Sequence, residues 1–517
     1  MLTNMRDILI MTLDKHLPYW FIIKKILFFI TSMKDPLPTG KTLILILISA
    51  SLAAFMSSLD GTIVNIALPS IAEAFGLTTS SVAWVSTIYL LVIAGLLLIV
   101  GKLTDTIGLK KIFLAGFSIF VIGSFSCGFF PELLNSYQIL LISRIIQAIG
   151  GVMMMVVAPA MLSRFMPGNQ RAKGLSLVML FAAIGMALGP TLGGYLTEYL
   201  SWNWIFYINV PVGIIAVILG MIVIPENKPD SCPLQRFDTL GAILIFIGLA
   251  ALLFAFSEGF SLGWTSLPII ISALLAVFCI GGFIQRERHY ENPLIDLGMF
   301  KSRSFLIVNV VLALLFFTFA GANYMLPFYL EYVHGFSTSN AGLILTTLSI
   351  GMMITGVISG QIYGKLIGKI KYMIMVGVVL IGAGYFLLTH LSPVTGLGVI
   401  ITALALIGLG LGVTTTPLTT LIMGAAPTSK QGMVSGLTGL ERYAPMTIGV
   451  AVYNLILIVG IVTIIKNSGI TEIPPAQISA SILALGFDMA FVLSVILSVF
   501  ILILCFFIKE EKAAADE

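Results

Sequence analysis

The chain has 517 residues, of which 58% are hydrophobic and only 10% charged, a balance far outside that of water-soluble domains. Crossing a bilayer takes about 20 apolar residues, and runs of that kind consume so much of the sequence that no length remains for a soluble catalytic domain. The formal net charge of +4 reflects where lysine and arginine fall between those runs, not a surface for nucleic acid.

Residues 1–41 read as an N-terminal segment on the cytoplasmic side. Within it, 18–30 is apolar but too short to span, and it carries Lys24 and Lys25 at its middle. It is either a helix lying in the membrane interface or a stretch ahead of a true start at Met33. A cleaved signal peptide fits poorly, because a long apolar run follows at once.

Fourteen spans are then predicted. The first, 42–66, holds Asp60. An ionised Asp at membrane depth costs about 3 kcal/mol on insertion scales. Asp60 is thus either a group that loads and releases a proton or a local cap near the outer face. The second span, 82–103, offers Trp84 and Tyr89, which read as interface anchors or as cavity residues. After the third, 111–130, the fourth, 137–162, carries Arg144, with Gln147 and Gly151 on the same helical face at i+3 and i+7. Arg144 is either a structural residue paired with backbone carbonyls or a fixed charge that tunes a neighbour's proton affinity.

The fifth span, 174–198, contains Gly185, Gly189 and Gly193 at four-residue spacing, with Pro190 and Gly194 among them. The glycines form a bare stripe for close helix approach, and the proline removes one backbone hydrogen bond and bends the helix. Two uses remain open, a tight packing seam and a helix pair that rocks; the expected neighbour is helix 8 or 11. The remaining spans are 204–224, 240–256, 267–283, 305–326, 340–362, 372–389, 397–423, 433–464 and 487–508. The thirteenth brings Glu441 and Arg442, which point about 100° apart on a helix. Glu441 either sits at the cytoplasmic edge or faces the cavity opposite Asp60 as a counter-charge for cationic substrates.

All 27 lysines and arginines except Arg144, Arg442 and Lys466 fall in the N-terminal segment, in every second loop, or at the C-terminus. The alternate loops carry Glu73, Glu132, Glu331 and His390 instead. The positive-inside rule therefore puts both termini in the cytoplasm, with Cys232 inside and Ser261 outside. Cys127, Cys232, Cys279 and Cys505 share no metal or redox spacing, and three of them read as packing residues. No phosphate loop, dinucleotide fingerprint or nucleophile–base pair is evident, which argues against an ATPase or hydrolase.

The halves resemble each other. Gly150 and Pro159 match Gly408 and Pro417 in separation, Pro167 matches Pro427, and Gly185 and Gly189 match Pro445 and Gly449. The expected layout is a six-helix bundle over 42–224, a linker with two extra helices over 225–303, a second bundle over 304–508, and a cytoplasmic tail, 509–517. Repeated bundles around a midplane site are the usual design of secondary transporters.

Five motifs in order carry a family resemblance. Residues 59–69 read Leu-Asp-Gly-Thr-Ile-Val-Asn-Ile-Ala-Leu-Pro, residues 101–111 read Gly-Lys-Leu-Thr-Asp-Thr-Ile-Gly-Leu-Lys-Lys, and helix 4 combines Arg144, Gln147, Gly150 and Gly151. The fourth motif is the Gly-Pro stretch 185–194, and the fifth is 202–211, Trp-Asn-Trp-Ile-Phe-Tyr-Ile-Asn-Val-Pro. Over about residues 42–508 the chain resembles the major facilitator superfamily, in particular its fourteen-helix drug:proton antiporters of the QacA and EmrB groups. The resemblance implies an all-α membrane protein with the major facilitator fold, two six-helix bundles plus two inserted transmembrane helices. It implies an exporter in the cell membrane, not an enzyme, with a small-molecule substrate and protons as partners in contact with membrane lipid. No cofactor, metal or nucleic acid is implied, and the expected state is a monomer. Asp60 and Arg144 would couple protons, and Gly101, Asp105, Gly108 and Lys110 would form a conformational latch. Gly185, Gly189, Pro190, Gly193 and Gly194 would form the antiporter motif, and Asn65, Tyr89, Gln147, Glu441 and Arg442 are cavity candidates. The chain departs from the family pattern at Thr106 and Asn203, where Arg is usual. It departs again at 442–445, Arg-Tyr-Ala-Pro, and in the second-half copy of the loop motif, 360–368, which has no acid.

Overall fold

In hydrocarbon every backbone N–H and C=O must find its partner within its own segment, so long apolar runs can only be helices. The computed structural model of the chain describes residues 40–166, 168–225, 238–290, 293–363, 369–425, 431–467 and 480–508, and Cys232 lies outside them. Fourteen helices among these are long and apolar enough to span. They are α1 (Lys41–Phe75), α2 (Thr79–Ile107), α3 (Leu109–Leu133), α4 (Tyr137–Phe165), α5 (Gly168–Tyr199), α6 (Trp204–Val223), α7 (Thr239–Leu262) and α8 (Leu267–Glu287). After them come α9 (Arg303–Phe328), α10 (Thr338–Tyr363), α11 (Ile370–Leu388), α12 (Leu397–Gly424), α13 (Gln431–Asn467) and α14 (Ala480–Phe506). The described residues contain no strand. Residues Ile46–Glu517 form one compact unit; of the other, Met1–Leu45, only the start of α1 is described.

Local chemistry sets the breaks. Gly108 separates α2 from α3 with φ +100°, a backbone state that side chains with a Cβ rarely adopt. Thr78 caps α2 by accepting from the Ser81 N–H, and Asp238 caps α7 by accepting from the Gly241 N–H. The last turn of the ninth span, Tyr329–Val333, widens into a π-helix.

Packing repeats between the halves. α2 and α3 pack on α4, and α10 and α11 pack on α12. Gly189 meets α1 at Thr62 and Ile63, and its counterpart Gly449 meets α9 at Phe317. The match is looser at Gly150, which abuts Gly116 and Phe120 of α3, whereas Gly408 abuts Leu348 of α10. The halves touch through α5 with α10 and α2 with α13; α7 packs on α8 and also against α2 and α13. Cys127, Cys279 and Cys505 are free and buried, as packing residues would be.

The glycine stripe does not meet helix 8 or 11. Gly185, Gly189 and Gly193 face Phe55, Thr62, Ile63 and Ile66 of α1, while Gly194 and Pro190 face Thr338 and Gly342 of α10. Spacing identifies the bare face of a helix but not the element that covers it.

Candidate functional site

The chemistry concentrates where five helices, α1, α2, α3, α4 and α6, meet in the first half. Asp60 of α1 and Arg144 of α4 form an ion pair at 3.0 Å, the two side chains 0% and 1% exposed. Arg144 uses its other donors inside the same cluster. Nη1 also reaches Gln147 Oε1 at 2.6 Å, and Nε donates to the Val85 carbonyl at 3.2 Å. Its guanidinium lies 4.1 Å from the Tyr89 ring centroid and 5.6 Å from that of Phe206, the geometry of a cation over an aromatic face. Arg144 thus fits neither simple alternative: it takes a backbone carbonyl and also holds a carboxylate.

The Asp60 carboxylate is equally occupied. Oδ1 accepts from Gln147 Nε2 at 2.8 Å and from Asn209 Nδ2 of α6 at 3.3 Å. Gln147 Nε2 continues to Ser124 Oγ of α3 at 2.8 Å. Two centres stay unmatched: the Tyr89 hydroxyl and the Asn209 side-chain carbonyl are buried with no hydrogen-bond partner. A closed ion pair ringed by neutral donors satisfies a buried charge far better than a lone acid in lipid. It also holds a carboxylate that can be neutralised only by a proton or by its own arginine.

Other expected residues lie apart from this cluster. Asn65 accepts from Ser86 Oγ at 2.9 Å, one turn and more beyond Asp60 on α1. Tyr89 is 2% exposed, so it is no interface anchor. Trp84 is half-buried and donates to Glu258 Oε1 of α7 at 2.9 Å. Glu441 is half-buried, its Oε2 without a hydrogen-bond partner, and no bond joins it to Asp60 among the described residues. Arg442 beside it stacks on Phe316 at 4.7 Å. In the loop motif, Gly108 makes the turn, Lys110 is half-buried, and a Cβ on Gly101 would meet nothing within 4 Å. The side chain of Asp105 lies outside the described residues.

Sequence reading did not pick out Asn209 and Ser124 as site residues. Asn209 gave a signal, a lone amide between Ile208 and Val210 in a very apolar span. Asn203, where the family has Arg, donates to the Gly128 carbonyl at 2.5 Å and to Glu132 Oε2 at 2.8 Å, so an amide fills the arginine's place.

At the end where α1 finishes, a set of hydrogen bonds crosses from α1–α6 to α9–α13. Tyr324 donates to the Thr79 carbonyl at 2.5 Å, Tyr332 to the Pro69 carbonyl at 3.4 Å, and Asn454 to Ser80 Oγ at 2.9 Å. The Ser339 N–H donates to Glu198 at 2.8 Å, and the Thr191 and Thr346 hydroxyls lie 2.6 Å apart. This end of the central seam is shut.

Comparison with known proteins agrees with the geometry. The chain is 31% identical to the multidrug resistance protein Stp of Mycobacterium tuberculosis over 81% of this chain and 76% of that protein. It is 32% identical to the riboflavin transporter RibZ of Clostridioides difficile, over 79% of this chain and 87% of that one. The crystal structure of a D-xylose–proton symporter shares the fold, with a TM-score of 0.61, 14% identity, and coverage of 89% of this chain and 97% of that one. The sequence family described as Major Facilitator Superfamily matches residues 50–450, from early in α1 into α13. On that match the chain belongs to the Major Facilitator Superfamily, and it is a transporter rather than an enzyme.

Proposed function

We propose that the protein is a proton-driven exporter of amphipathic, often cationic compounds, working by alternating access. The observation that carries this reading is the Asp60–Arg144 pair, a fully buried ion pair whose carboxylate can trade its arginine for a proton. In this scheme protonation of Asp60 frees Arg144, and the released charge drives rearrangement of α1, α4 and α6 about their shared contacts. Residues 42–224 and 304–508 are the two moving bundles, 225–303 the inserted linker, and the stripe at 185–194 the sliding contact. Asp105, Gly101, Gly108 and Lys110 act as a latch at the far end. The protein works as a monomer.

The charge asymmetry supports cytoplasmic termini in the cell membrane. The shut end of the seam then faces outward. A cysteine introduced at Ser261 in a cysteine-free background is expected to react with impermeant maleimide in intact cells, and one retained at Cys232 to stay unlabelled. The reverse pattern would overturn the orientation.

The energetics suffice without ATP. One charge crossing 100 mV releases about 2.3 kcal/mol, and a tenfold gradient takes about 1.4 kcal/mol. One proton therefore sustains roughly a fifty-fold gradient of a neutral compound. Multidrug-exporter relatives favour a broad substrate range, and the riboflavin transporter among the relatives favours a second reading, export of one metabolite. Inverted vesicles with an imposed pH gradient and a panel of fluorescent cations separate the two.

Glu441 supports the cationic preference, since its uncommitted carboxylate oxygen offers a counter-charge that the closed Asp60 cluster does not. In the same vesicles Glu441→Gln is expected to weaken transport of cations, divalent ones most, and to affect a neutral compound little. Equal loss for both would point to folding or general proton coupling, and no loss would put Glu441 outside the substrate path.

A further inference from the structure

The inserted α7–α8 hairpin carries a groove that no step above uses. We propose that this groove binds the headgroup of an anionic phospholipid. It lies where α7 begins and α8 ends, at the margin of two spans bounded by Thr239–Phe256 and Leu267–Glu287, and so at the level where acyl chains give way to phosphates. Its volume is about 430 Å³, room for a phosphoglycerol head and the first carbons of one chain but not for a whole lipid. Leu240, Leu244 and Gly282 make an apolar floor, and Gln285, Arg286 and His289 make the rim. The floor is open because position 282 has no side chain; a Cβ there would touch only the tip of Leu244.

The rim is built as well as charged. Arg286 is one-third exposed, and its Nε is fixed at 2.5 Å on Asp238, a residue with no exposure of its own. Asp238 also caps α7 through the Gly241 N–H at 2.8 Å, so it cannot swing out to neutralise the groove. The Tyr290 ring lies 4.8 Å from the guanidinium, which holds the plane of the fork. Of the five donors on a guanidinium, only the Nε–H is spent on Asp238, and the terminal amino groups are left for a phosphate. His289 donates its Nδ1–H to the Gln285 carbonyl at 2.9 Å, which sets its ring at the rim.

Charge is sorted across this corner. Glu287 is 4% exposed and turned inward, where it accepts from the Ile295 N–H at 2.8 Å. Its neighbours Arg288 and His289 are exposed. Among the described residues of this corner, Asp238 and Glu287 thus face the protein while Arg286 and Arg288 reach the interface, the arrangement that attracts anionic lipid. The adjoining face of α8 fits a lipid source for the phosphate rather than a dissolved one. Leu274, Val277 and Phe278 are 64%, 73% and 75% exposed, and only 22% of the α8 span is covered by protein.

The test is native mass spectrometry of the full-length protein released from nanodiscs of phosphatidylglycerol or phosphatidylcholine. Wild type is expected to retain phosphatidylglycerol about tenfold over phosphatidylcholine, in line with one to two arginines near a headgroup at about 1 kcal/mol each. Gly282→Leu fills the floor without touching any charge, and Arg286→Gln removes the guanidinium from the rim while its amide can still donate to Asp238. Either is expected to bring retention down to the phosphatidylcholine level with the elution profile unchanged. Inorganic phosphate at millimolar concentration is expected not to displace the lipid. Undiminished phosphatidylglycerol retention in both variants, equal retention of the two lipids by wild type, or displacement by phosphate alone would each overturn the proposal.

Discussion

In Asp60→Asn, pH-driven transport is expected to fall to background. The substitution keeps the shape of the side chain but removes the charge from a pair that has no solvent access. Breaking a buried ion pair by removing one partner costs about 3–5 kcal/mol, because Arg144 stays behind unpaired. A loss of activity alone would therefore not separate a proton carrier from a structural brace. The informative comparison adds Arg144→Gln in the same chain, which removes the stranded charge. The double variant is expected to recover monodisperse yield and thermal stability while remaining without gradient-driven transport. Full gradient-driven transport by Asp60→Asn would remove Asp60 from the mechanism. Recovery of transport in the double variant would leave the pair a brace only.

Gly189→Leu has the second large expected effect. A Cβ on Gly189 would overlap the Thr62 hydroxyl and stand 3.1 Å from the Ile63 amide nitrogen. Thr62 has little room to yield, since its hydroxyl lies within 3.4 Å of the Ser58, Leu59 and Met186 carbonyls. Overpacking usually costs about 1–3 kcal/mol, and a leucine at a backbone-to-backbone contact belongs at the upper end. Turnover is expected to be lost while the protein still inserts, as judged by size-exclusion profile and substrate uptake. Gly61→Ala on α1 is the control, because a Cβ there meets nothing within 4 Å; it is expected to transport like wild type. Wild-type turnover in Gly189→Leu would show that α1 and α5 need not approach during the cycle.

The spans were legible because a membrane allows one solution to a long apolar run. Asp60, Arg144 and Gln147 were legible as candidates because charge and amide stand out against hydrocarbon. What the sequence withheld was who meets whom. The stripe at 185–194 has two covers, α1 and α10, since Gly194 and Pro190 sit on a different side of α5 from Gly189. Spacing along one helix carries no information about that division. Tyr89 looks like an interface residue by type and position, yet a guanidinium from another helix claims it, and Trp84 meets a carboxylate of α7. Asn209 joins the cluster only because α6 crosses beside α1, a fact of assembly and not of local pattern.

The closure at the end where α1 finishes rests partly on main-chain acceptors. Tyr324 and Tyr332 bond to the carbonyls of Thr79 and Pro69, and Gly194 and Gly342 lie against those of Thr338 and Pro190. A carbonyl is supplied by any residue type, so each contact is written into one strand of the partnership and not the other. Related chains can therefore change residues 69, 79 and 338 freely while the seal persists. Paired substitutions will not betray these four contacts, whose trace in a set of related sequences will be two tyrosines and two glycines; only the side-chain pairs Asn454–Ser80 and Thr191–Thr346 can change together.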